Sequence, residues 1–205
     1  MKIGLFFGSF NPIHNGHLML AKYVLEHNKL DKILFVISPQ NPFKSQTSLV
    51  RVEDRINMVL SAIQTEKRFE LCDYEVNNEF PSYSYKTIEY LKEKYPNDEL
   101  FFIMGMDNWI HINKWKNYKY IINNVSFIVI PRIGTSNITQ EDLWFNKIVE
   151  LIKDNNVVHS QIAINAPLMN ISSTFIRNEI KCGNDVNFYV PREVYDVIKT
   201  NNLYD

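Results

Sequence analysis

Residues 2–17 read KIGLFFGSFNPIHNGH, and the order of features in this stretch predicts the fold. Lys2–Phe7 is a short apolar run of the kind that forms a buried strand. Gly8 follows directly and lets the chain turn sharply, because glycine has no Cβ and tolerates unusual backbone angles. Apolar residues then recur at helical spacing from Gly16 to Leu25. The stretch therefore predicts a strand, a tight loop and a helix.

The loop between this strand and this helix has the composition of an anion-binding site. Pro12 constrains its backbone, and Asn15 or Gly16 can begin the helix. A helix N-terminus favours anions because its first N–H groups have no partner within the helix. His14 and His17 are three residues apart, so both rings can point toward the space just beyond the strand. Open parallel sheets bind nucleotides at that edge.

The histidine pair has more than one interpretation. The rings could have a structural role, or two histidines at this spacing could bind zinc. Zinc has little support, because no third ligand lies nearby and the two cysteines, Cys72 and Cys182, are far apart in the sequence. We favour contact with phosphate or magnesium phosphate, and we predict no metal site built from protein side chains.

A second stretch near the other end of the chain, residues 171–177, reads ISSTFIR. Ser172, Ser173 and Thr174 precede a helical pattern, where hydroxyls cap a helix and can also donate to phosphate oxygens. Arg177 lies one turn further on and can reach back over the same oxygens. Alone, this stretch could be an ordinary capped helix with a solvent-facing arginine. Together, the first segment (residues 8–17) and the second segment (residues 171–177) predict one nucleoside triphosphate held from two sides.

The composition sets limits on the class of protein. The chain has 205 residues, of which 45% are hydrophobic, which suits a single domain spanning residues 1–205. Its formal net charge of -1 gives no general attraction to nucleic acid or to an anionic membrane, so we expect neither as a partner. Two widely spaced cysteines do not make a disulfide framework, and no signal peptide or apolar span is evident. We therefore expect a cytoplasmic protein.

The rest of the chain alternates strand-like and helix-like runs. Short runs rich in β-branched and aromatic residues predict strands at Lys32–Ile37, Glu99–Met104 and Val125–Ile130, and a last strand could form at Val157–Ile164. Apolar residues at helical intervals predict helices at Val52–Ile63, Tyr85–Tyr95, Trp115–Ile122, Glu141–Lys153 and Arg192–Thr200. This alternation predicts an α/β fold, in which helices connect the strands of a parallel sheet.

Further landmarks follow the first segment in order along the chain. They are Ser38-Pro39 leading to Lys44, Pro81-Ser82-Tyr83-Ser84 with Thr87, Gly105-Met106-Asp107 leading to Trp115, Pro131-Arg132, and Tyr189-Val190-Pro191. With the two segments, these landmarks resemble the bacterial nicotinate mononucleotide adenylyltransferases. That family belongs to the nucleotidyltransferase superfamily, which carries a T/HxGH-type loop and an ISSTxIR-type loop. The resemblance covers nearly the whole chain and implies a nucleotidyltransferase-type, Rossmann-like sheet with helices on both faces.

The resemblance also implies an activity. Such enzymes transfer AMP from ATP to nicotinate mononucleotide and release deamido-NAD and pyrophosphate, a step of NAD biosynthesis. Mg²⁺ accompanies the ATP, and homo-oligomers are compatible with the resemblance. The attacking phosphate monoester is already largely anionic near neutral pH, since its second pKa is about 6, so no strong general base is required. Catalysis then depends on alignment of two anions and on neutralisation of the developing charge.

Individual roles on the ATP side follow from the resemblance. His14 and His17 contact the phosphates, and His17 also stabilises the departing pyrophosphate. Arg177 holds the β- and γ-phosphates, and Lys44 bridges phosphate charge between the two substrates unless it is simply an exposed loop lysine. Asp107 accepts hydrogen bonds from ribose hydroxyls, unless it caps a helix. The full set predicted to bind ATP is Gly8, Ser9, Phe10, His14, His17, Gly105, Asp107, Ile171, Ser172, Ser173, Thr174 and Arg177.

The resemblance implies a second set of residues around the acceptor. Trp115 stacks on the pyridine ring and Ser84 presents its hydroxyl and N–H to the carboxylate, although a core position for the tryptophan is an alternative. Arg132 meets the acceptor phosphate or simply the solvent. The set predicted to bind the mononucleotide is Asn11, Lys44, Ser84, Thr87, Trp115 and Arg132. Phe43 and His111 depart from the commonest family residues, and the preference for the acid over the amide follows from the resemblance alone.

Several other functions remain compatible with the same motifs. Within the reaction class, the acceptor could be nicotinamide mononucleotide or phosphopantetheine, or the enzyme could be a glycerol phosphate cytidylyltransferase. A fragment of an aminoacyl-tRNA synthetase is a more distant alternative, and the chain lacks a basic face for tRNA. Outside catalysis, the same phosphate site could serve an adenine-nucleotide sensor. The pairing of His14 and His17 with Lys44 and Arg177 favours an enzyme.

Overall fold

The computed structural model describes residues 1–39, 49–78, 83–130, 160–162, 165–167 and 169–205. Its centre is a sheet of six strands in the order β3-β2-β1-β4-β5-β6. The strands are β1 Lys2–Gly8, β2 Lys32–Ile37, β3 Phe69–Cys72, β4 Glu99–Gly105, β5 Ser126–Ile130 and β6 Ser160–Ile162. All neighbouring strands are parallel, so their carboxyl ends meet at one edge of the sheet.

Helices connect the strands as the sequence predicts. They are α1 Asn15–His27, α2 Val52–Ile63, α3 Ser84–Lys94, α4 Met106–Trp109, α5 Tyr118–Asn124, α6 Ser173–Lys181 and α7 Arg192–Thr200, with a 3₁₀ turn at Ile112–Lys114. None of the described helices is long and apolar enough to span a bilayer. The α/β fold with a parallel sheet is therefore confirmed.

Two apolar cores form because the strands bury both faces. Along β1, Ile3 and Leu5 belong to one core, whereas Phe6 belongs to the other. Helices α1, α2, α6 and α7 contribute to the core that contains Phe6, and α3, α4 and α5 contribute to the opposite one. Alternate side chains of a strand point to opposite faces, so a continuous apolar run such as β1 must be covered on both sides.

The structure corrects two details of the predicted elements. Strand β3 was not predicted, because its four residues include the exposed Glu70 and are too few for a clear pattern. The helix expected to begin at Trp115 begins instead at Tyr118, since Asn117 adopts a left-handed φ of 51°. Helix α1 begins at Asn15, one of the two residues expected to start it, and the loop histidine His14 is its cap. The predicted helix 141–153 lies outside the described residues.

The sheet order places the expected nucleotide site. Strand β1 pairs with β2 on one side and with β4 on the other, so the chain reverses its direction of winding at β1 and β4. Gly8 ends β1 opposite Ile37 of β2, and Gly105 ends β4 opposite Ile130 of β5. Ligands of open α/β sheets bind outside the carboxyl ends of the strands at such a switch point.

Candidate active site at the switch point of the sheet

An aromatic ring packs against the glycine at which β1 ends and the loop begins. The ring of Phe10 lies against Gly8, where a Cβ would come within 2.8 Å of its carbon atoms. Phe10 is buried beside Phe6, with 5.9 Å between ring centroids, and has a left-handed φ of 44°. This backbone conformation is unfavourable for a residue with a side chain, so packing must maintain it. Any contact of Phe10 with ATP would therefore come from its backbone.

The two histidines cap helix α1 together. Nδ1 of His14 accepts from the backbone N–H of His17, and Nδ1 of His17 accepts from the N–H of His14, both at 3.3 Å. The His17 N–H is shared with the His14 carbonyl at 2.9 Å. The two rings stack with 3.6 Å between centroids. This arrangement is a capping box in which both side chains are imidazoles.

The capping bonds determine which nitrogen of each ring can serve a ligand. An Nδ1 atom that accepts a hydrogen bond carries no proton, so the neutral ring has its proton on Nε2. Nε2–H is a hydrogen-bond donor, as contact with a phosphate oxygen requires. The capping role thus uses Nδ1 of each ring, whereas the predicted contact with phosphate, its alternative on the sequence alone, would use Nε2.

The second segment lies directly against the first. Ser172 caps α6 and accepts from the N–H of Phe175 at 3.1 Å. Ser173 Oγ donates to the carbonyl of Pro12 at 2.9 Å, which joins residues 161 positions apart. The two segments therefore form one surface, with the N-termini of α1 and α6 beside each other.

Arg177 extends this contact between the segments. Its Nη1 donates to the carbonyl of Asn11 at 2.8 Å, and its Nη2 donates to Oγ1 of Thr174 at 3.2 Å. The guanidinium is half-buried, and burial lowers the pKa of Arg177 from its ordinary value. Arg177 is therefore not the solvent-facing arginine of an ordinary capped helix.

Arg55 is a site residue that the sequence analysis missed. It is 1% exposed, and its guanidinium donates to the carbonyls of Ser9 and Ser38 at 2.8 and 2.7 Å and to that of Pro39 at 2.8 Å. These carbonyls follow β1 and β2. The sequence does carry a sign of this role. Arg55 falls on the apolar face of the predicted helix, beside Met58, where a cation without an ionic partner is unexpected.

Asn11 is almost completely buried, at 2% exposure. Its Oδ1 accepts from the N–H of Val50 at 3.3 Å and from the hydroxyl of Tyr204 at 3.0 Å. The single oxygen of this side chain thus accepts from two groups of the protein itself, and the predicted contact of Asn11 with the mononucleotide stays a prediction.

The end of β4 forms the neighbouring part of the site. Gly105 is the N-cap residue of α4 and, as a glycine, has no side chain with which to cap it. Asp107 lies in the first turn of that helix. A Cβ at Gly105 would collide with Oδ1 of Asp107, so the carboxylate lies over the glycine. Asp107 is therefore not the helix cap, which was the alternative to its predicted contact with ribose.

The described residues that are predicted to bind the acceptor lie on separate elements of the fold. Ser84 begins α3, and Trp115 is half-buried and packs edge-to-face with Phe102 at 6.0 Å between ring centroids. Thr87 is 0% exposed and donates to Oε1 of Glu75 at 2.7 Å. This position favours a supporting role for Thr87 over the direct contact that the sequence predicts. Lys44 and Arg132 lie outside the described residues.

Comparison with known proteins decides the family. Residues 5–179 match the model of the family described as Cytidylyltransferase-like. A protein of Flavobacterium johnsoniae, named "Probable nicotinate-nucleotide adenylyltransferase", is 40% identical over 204 residues, which cover 100% of this chain and 99% of that protein. The chain belongs to the nicotinate-nucleotide adenylyltransferase family. A protein of the same name from Clostridium tetani is 39% identical over 99% of this chain and 98% of that protein.

Solved structures of nicotinate-nucleotide adenylyltransferases have the same architecture. The Plasmodium falciparum nicotinic acid mononucleotide adenylyltransferase complexed with NaAD superposes with a TM-score of 0.76 at 25% identity, covering 100% of this chain and 97% of that one. The same enzyme complexed with APC gives a TM-score of 0.75 at 24% identity, with the same coverage. The Rossmann-like nucleotidyltransferase fold expected from the resemblance is confirmed.

Proposed function

We propose that this chain transfers the AMP part of ATP to nicotinate mononucleotide, giving deamido-NAD and pyrophosphate. The observation that carries the proposal is the contact of the two segments across the fold. Ser173 and Arg177 donate to the carbonyls of Pro12 and Asn11, so two helix N-termini and a guanidinium converge beside β1. The relatives named nicotinate-nucleotide adenylyltransferase, and the relative solved with NaAD, support the choice of acceptor.

On the ATP side, we assign the phosphates to the histidines and to the start of α6. The Nε2–H groups of His14 and His17 donate to phosphate oxygens, since their Nδ1 atoms are used by the capping box. Arg177 supplies a fixed positive charge for the β- and γ-phosphates. Asp107, which lies over Gly105, accepts from the ribose hydroxyls.

On the acceptor side, we assign the pyridine ring to Trp115 and its carboxylate to Ser84. A half-buried indole that packs edge-to-face with Phe102 retains exposed surface on which a pyridine ring can stack. Ser84, the first residue of α3, has a backbone N–H that lacks a partner within the helix and suits an anion. Lys44 and Arg132 complete the proposed acceptor set from the sequence.

The reaction follows from this arrangement. An oxygen of the acceptor phosphate attacks the α-phosphorus of ATP, a new P–O bond forms, and the bond from the α-phosphorus to the bridging oxygen breaks. The electron pair leaves with pyrophosphate, and His17 and Arg177 stabilise its charge. No protein nucleophile is required, because the attacking oxygen is already anionic. The principal contribution of the protein is alignment and charge neutralisation.

Mg²⁺ fits this scheme as part of the ATP complex. The described side chains around the segments are imidazoles, hydroxyls and a guanidinium, which suit phosphate oxygens better than a hard cation. No group of three His, Cys, Asp or Glu that could hold a metal occurs among the described residues. We therefore propose that phosphate oxygens and water supply most of the ligands, and that the ion offsets phosphate charge during transfer.

One assay tests the proposal. The protein is incubated with ATP and Mg²⁺ and, in separate reactions, with nicotinate mononucleotide, nicotinamide mononucleotide or phosphopantetheine, and pyrophosphate and dinucleotide are measured by enzyme-coupled assay and chromatography. We expect the highest kcat/KM with nicotinate mononucleotide. Turnover of phosphopantetheine alone would move the chain to another branch of the superfamily. Binding of ATP without turnover of any acceptor would favour a nucleotide sensor.

A further inference from the structure

A buried cation joins the ends of two neighbouring strands in this fold. Arg55 extends from α2 and donates to three carbonyls, those of Ser9, Ser38 and Pro39, at 2.7 to 2.8 Å. Ser9 belongs to the first segment, which faces the ATP phosphates in the proposed function. Ser38 and Pro39 follow β2 and lead in sequence toward Lys44.

A buried guanidinium carries a cost of desolvation that an apolar side chain would not have. Arg55 is 1% exposed, and no ion pair connects it to a carboxylate among the described residues. Burial lowers the pKa of Arg55 from its ordinary value, which reflects the cost of removing a cation from water. An apolar side chain of similar volume would avoid that cost, but it would leave the carbonyls of Ser9, Ser38 and Pro39 without this donor. What only the guanidinium supplies is a rigid fork that bonds several carbonyls at once.

We propose that Arg55 is a positioning residue, which holds Ser9, after β1, and Ser38–Pro39, after β2, in one fixed relation and so aligns the two substrates for transfer. The inference rests on the proposed function, because the first loop serves ATP and the second leads to the acceptor side. In-line attack on phosphorus is sensitive to such alignment. A shift of about 1 Å in the position of a reacting group can reduce the rate about a hundredfold. Arg55 itself touches neither substrate in this proposal.

The test uses Arg55→Lys, which keeps the charge but cannot fork across three carbonyls. We expect kcat with nicotinate mononucleotide to fall at least tenfold, while the Kd of a non-hydrolysable ATP analogue changes less than threefold. Arg55→Gln, which keeps two N–H donors without charge, serves as the second variant, and we expect it to lose kcat in the same way. Ethylguanidinium added to Arg55→Ala should restore part of kcat.

Two variants of the same helix provide controls. Met58→Ala removes a buried side chain one turn along α2 and should lower Tm while kcat stays within about twofold of the wild type. Arg51→Lys changes an exposed arginine and should alter neither quantity. The Met58 variant separates general destabilisation from loss of alignment.

The outcomes distinguish the inference from the proposed function. If Arg55→Lys lowers Tm but leaves kcat within twofold, as Met58→Ala does, the residue is merely structural and the inference fails. If neither Arg55→Lys nor Arg55→Gln folds, Arg55 is required for the fold itself, and the inference of a positioning role fails as well. If the wild type turns over a different acceptor, the proposed function fails, whereas the ratio of kcat between wild type and variant still tests Arg55 with that acceptor.

Discussion

The hydroxyl of Tyr204 donates a hydrogen bond of 3.0 Å to Oδ1 of Asn11, across 193 positions of sequence. Asn11 lies in the first segment, and Tyr204 follows α7, which packs against α2. The carbonyl of the same Asn11 accepts from Arg177. A residue near the end of the chain thus supports the loop of the first segment.

Replacement of Tyr204 by Phe should show what this bond contributes. The ring would remain, but Asn11 would lose one of its two described donors to Oδ1. We expect a loss of about 1 kcal/mol in the free energy of unfolding, corresponding to roughly 2–4 °C in Tm. Urea and thermal unfolding measure it. Phe in place of the half-buried Tyr120 provides the control, and an equal loss there would contradict a specific role of the bond.

The same variant should change stability at alkaline pH. Burial raises the pKa of Tyr204 above its ordinary value of 10.0. The folded state therefore retains the proton after the unfolded state has lost it, so this contribution is complete below about pH 10 and is lost as pH rises above that value. We expect the wild type to lose stability more steeply than Tyr204→Phe between about pH 10 and 12. Parallel curves would show that the hydroxyl does not titrate with folding.

The double role of the histidines predicts a difference between two substitutions of His17. Gln at this position can still accept from the N–H of His14, as in an ordinary capping box, but has no imidazole. We expect His17→Ala to lose about 1 kcal/mol of stability and most of the activity of the wild type. His17→Gln should keep the stability of the wild type but lose the activity. For both, kcat should fall about 10²–10³-fold, with a much smaller change in affinity for an ATP analogue.

Unfolding curves and single-turnover rates measure the two effects of His17 separately. Recovery of kcat by His17→Gln would mean that the cap, and not the imidazole, supports activity. Loss of kcat and of analogue binding in equal proportion would indicate a residue that only binds ATP.

Gly105 should be needed for the position of Asp107. Ala at this position would place a Cβ against Oδ1 of Asp107 and displace the carboxylate. We expect the KM for ATP to rise about tenfold. Gly4→Ala is a matched control, because its Cβ would meet core side chains such as Ile103 at 2.9 Å. That variant should lose about 1–3 kcal/mol of stability without a change in KM. An unchanged KM in Gly105→Ala would argue against the ribose contact.

A group of surface ion pairs predicts the behaviour in acid. Glu26 and Glu66 pair with Lys22 and Arg68, joining α1 to the turn after α2. Hydrogen bonds from Arg68 and Lys22 lower the pKa of Glu66 to about 2, from 4.5. Its contribution is present above about pH 4.5 and is lost as pH falls toward 2.

Glu66→Gln should therefore flatten the loss of stability between about pH 5 and 2, most clearly at low salt. Denaturant unfolding at several pH values measures it. Glu93→Gln, at an exposed position of α3, is the control. Equal slopes for wild type and Glu66→Gln would mean that the pairs do not stabilise the folded state.

The sequence predicts most of the fold because the buried strands and helices show their apolar periodicity within a short stretch of the chain. Lys32–Ile37, Val52–Ile63 and Arg192–Thr200 have in the structure the bounds that their apolar periodicity indicates. Strand β3 escaped prediction because its four residues become a strand only through pairing with β2. The start of α5 shifted because a left-handed residue, Asn117, interrupts the pattern.

By itself, the sequence determined the order of elements, the two phosphate segments and the family that they resemble, since short motifs and local periodicity express these directly. Only the tertiary structure decided how the segments meet, through Ser173 and Arg177, and which distant residues support them, Arg55 and Tyr204. These contacts join residues that are far apart along the chain. No local pattern encodes such a pairing, because it depends on how the helices pack on the completed sheet.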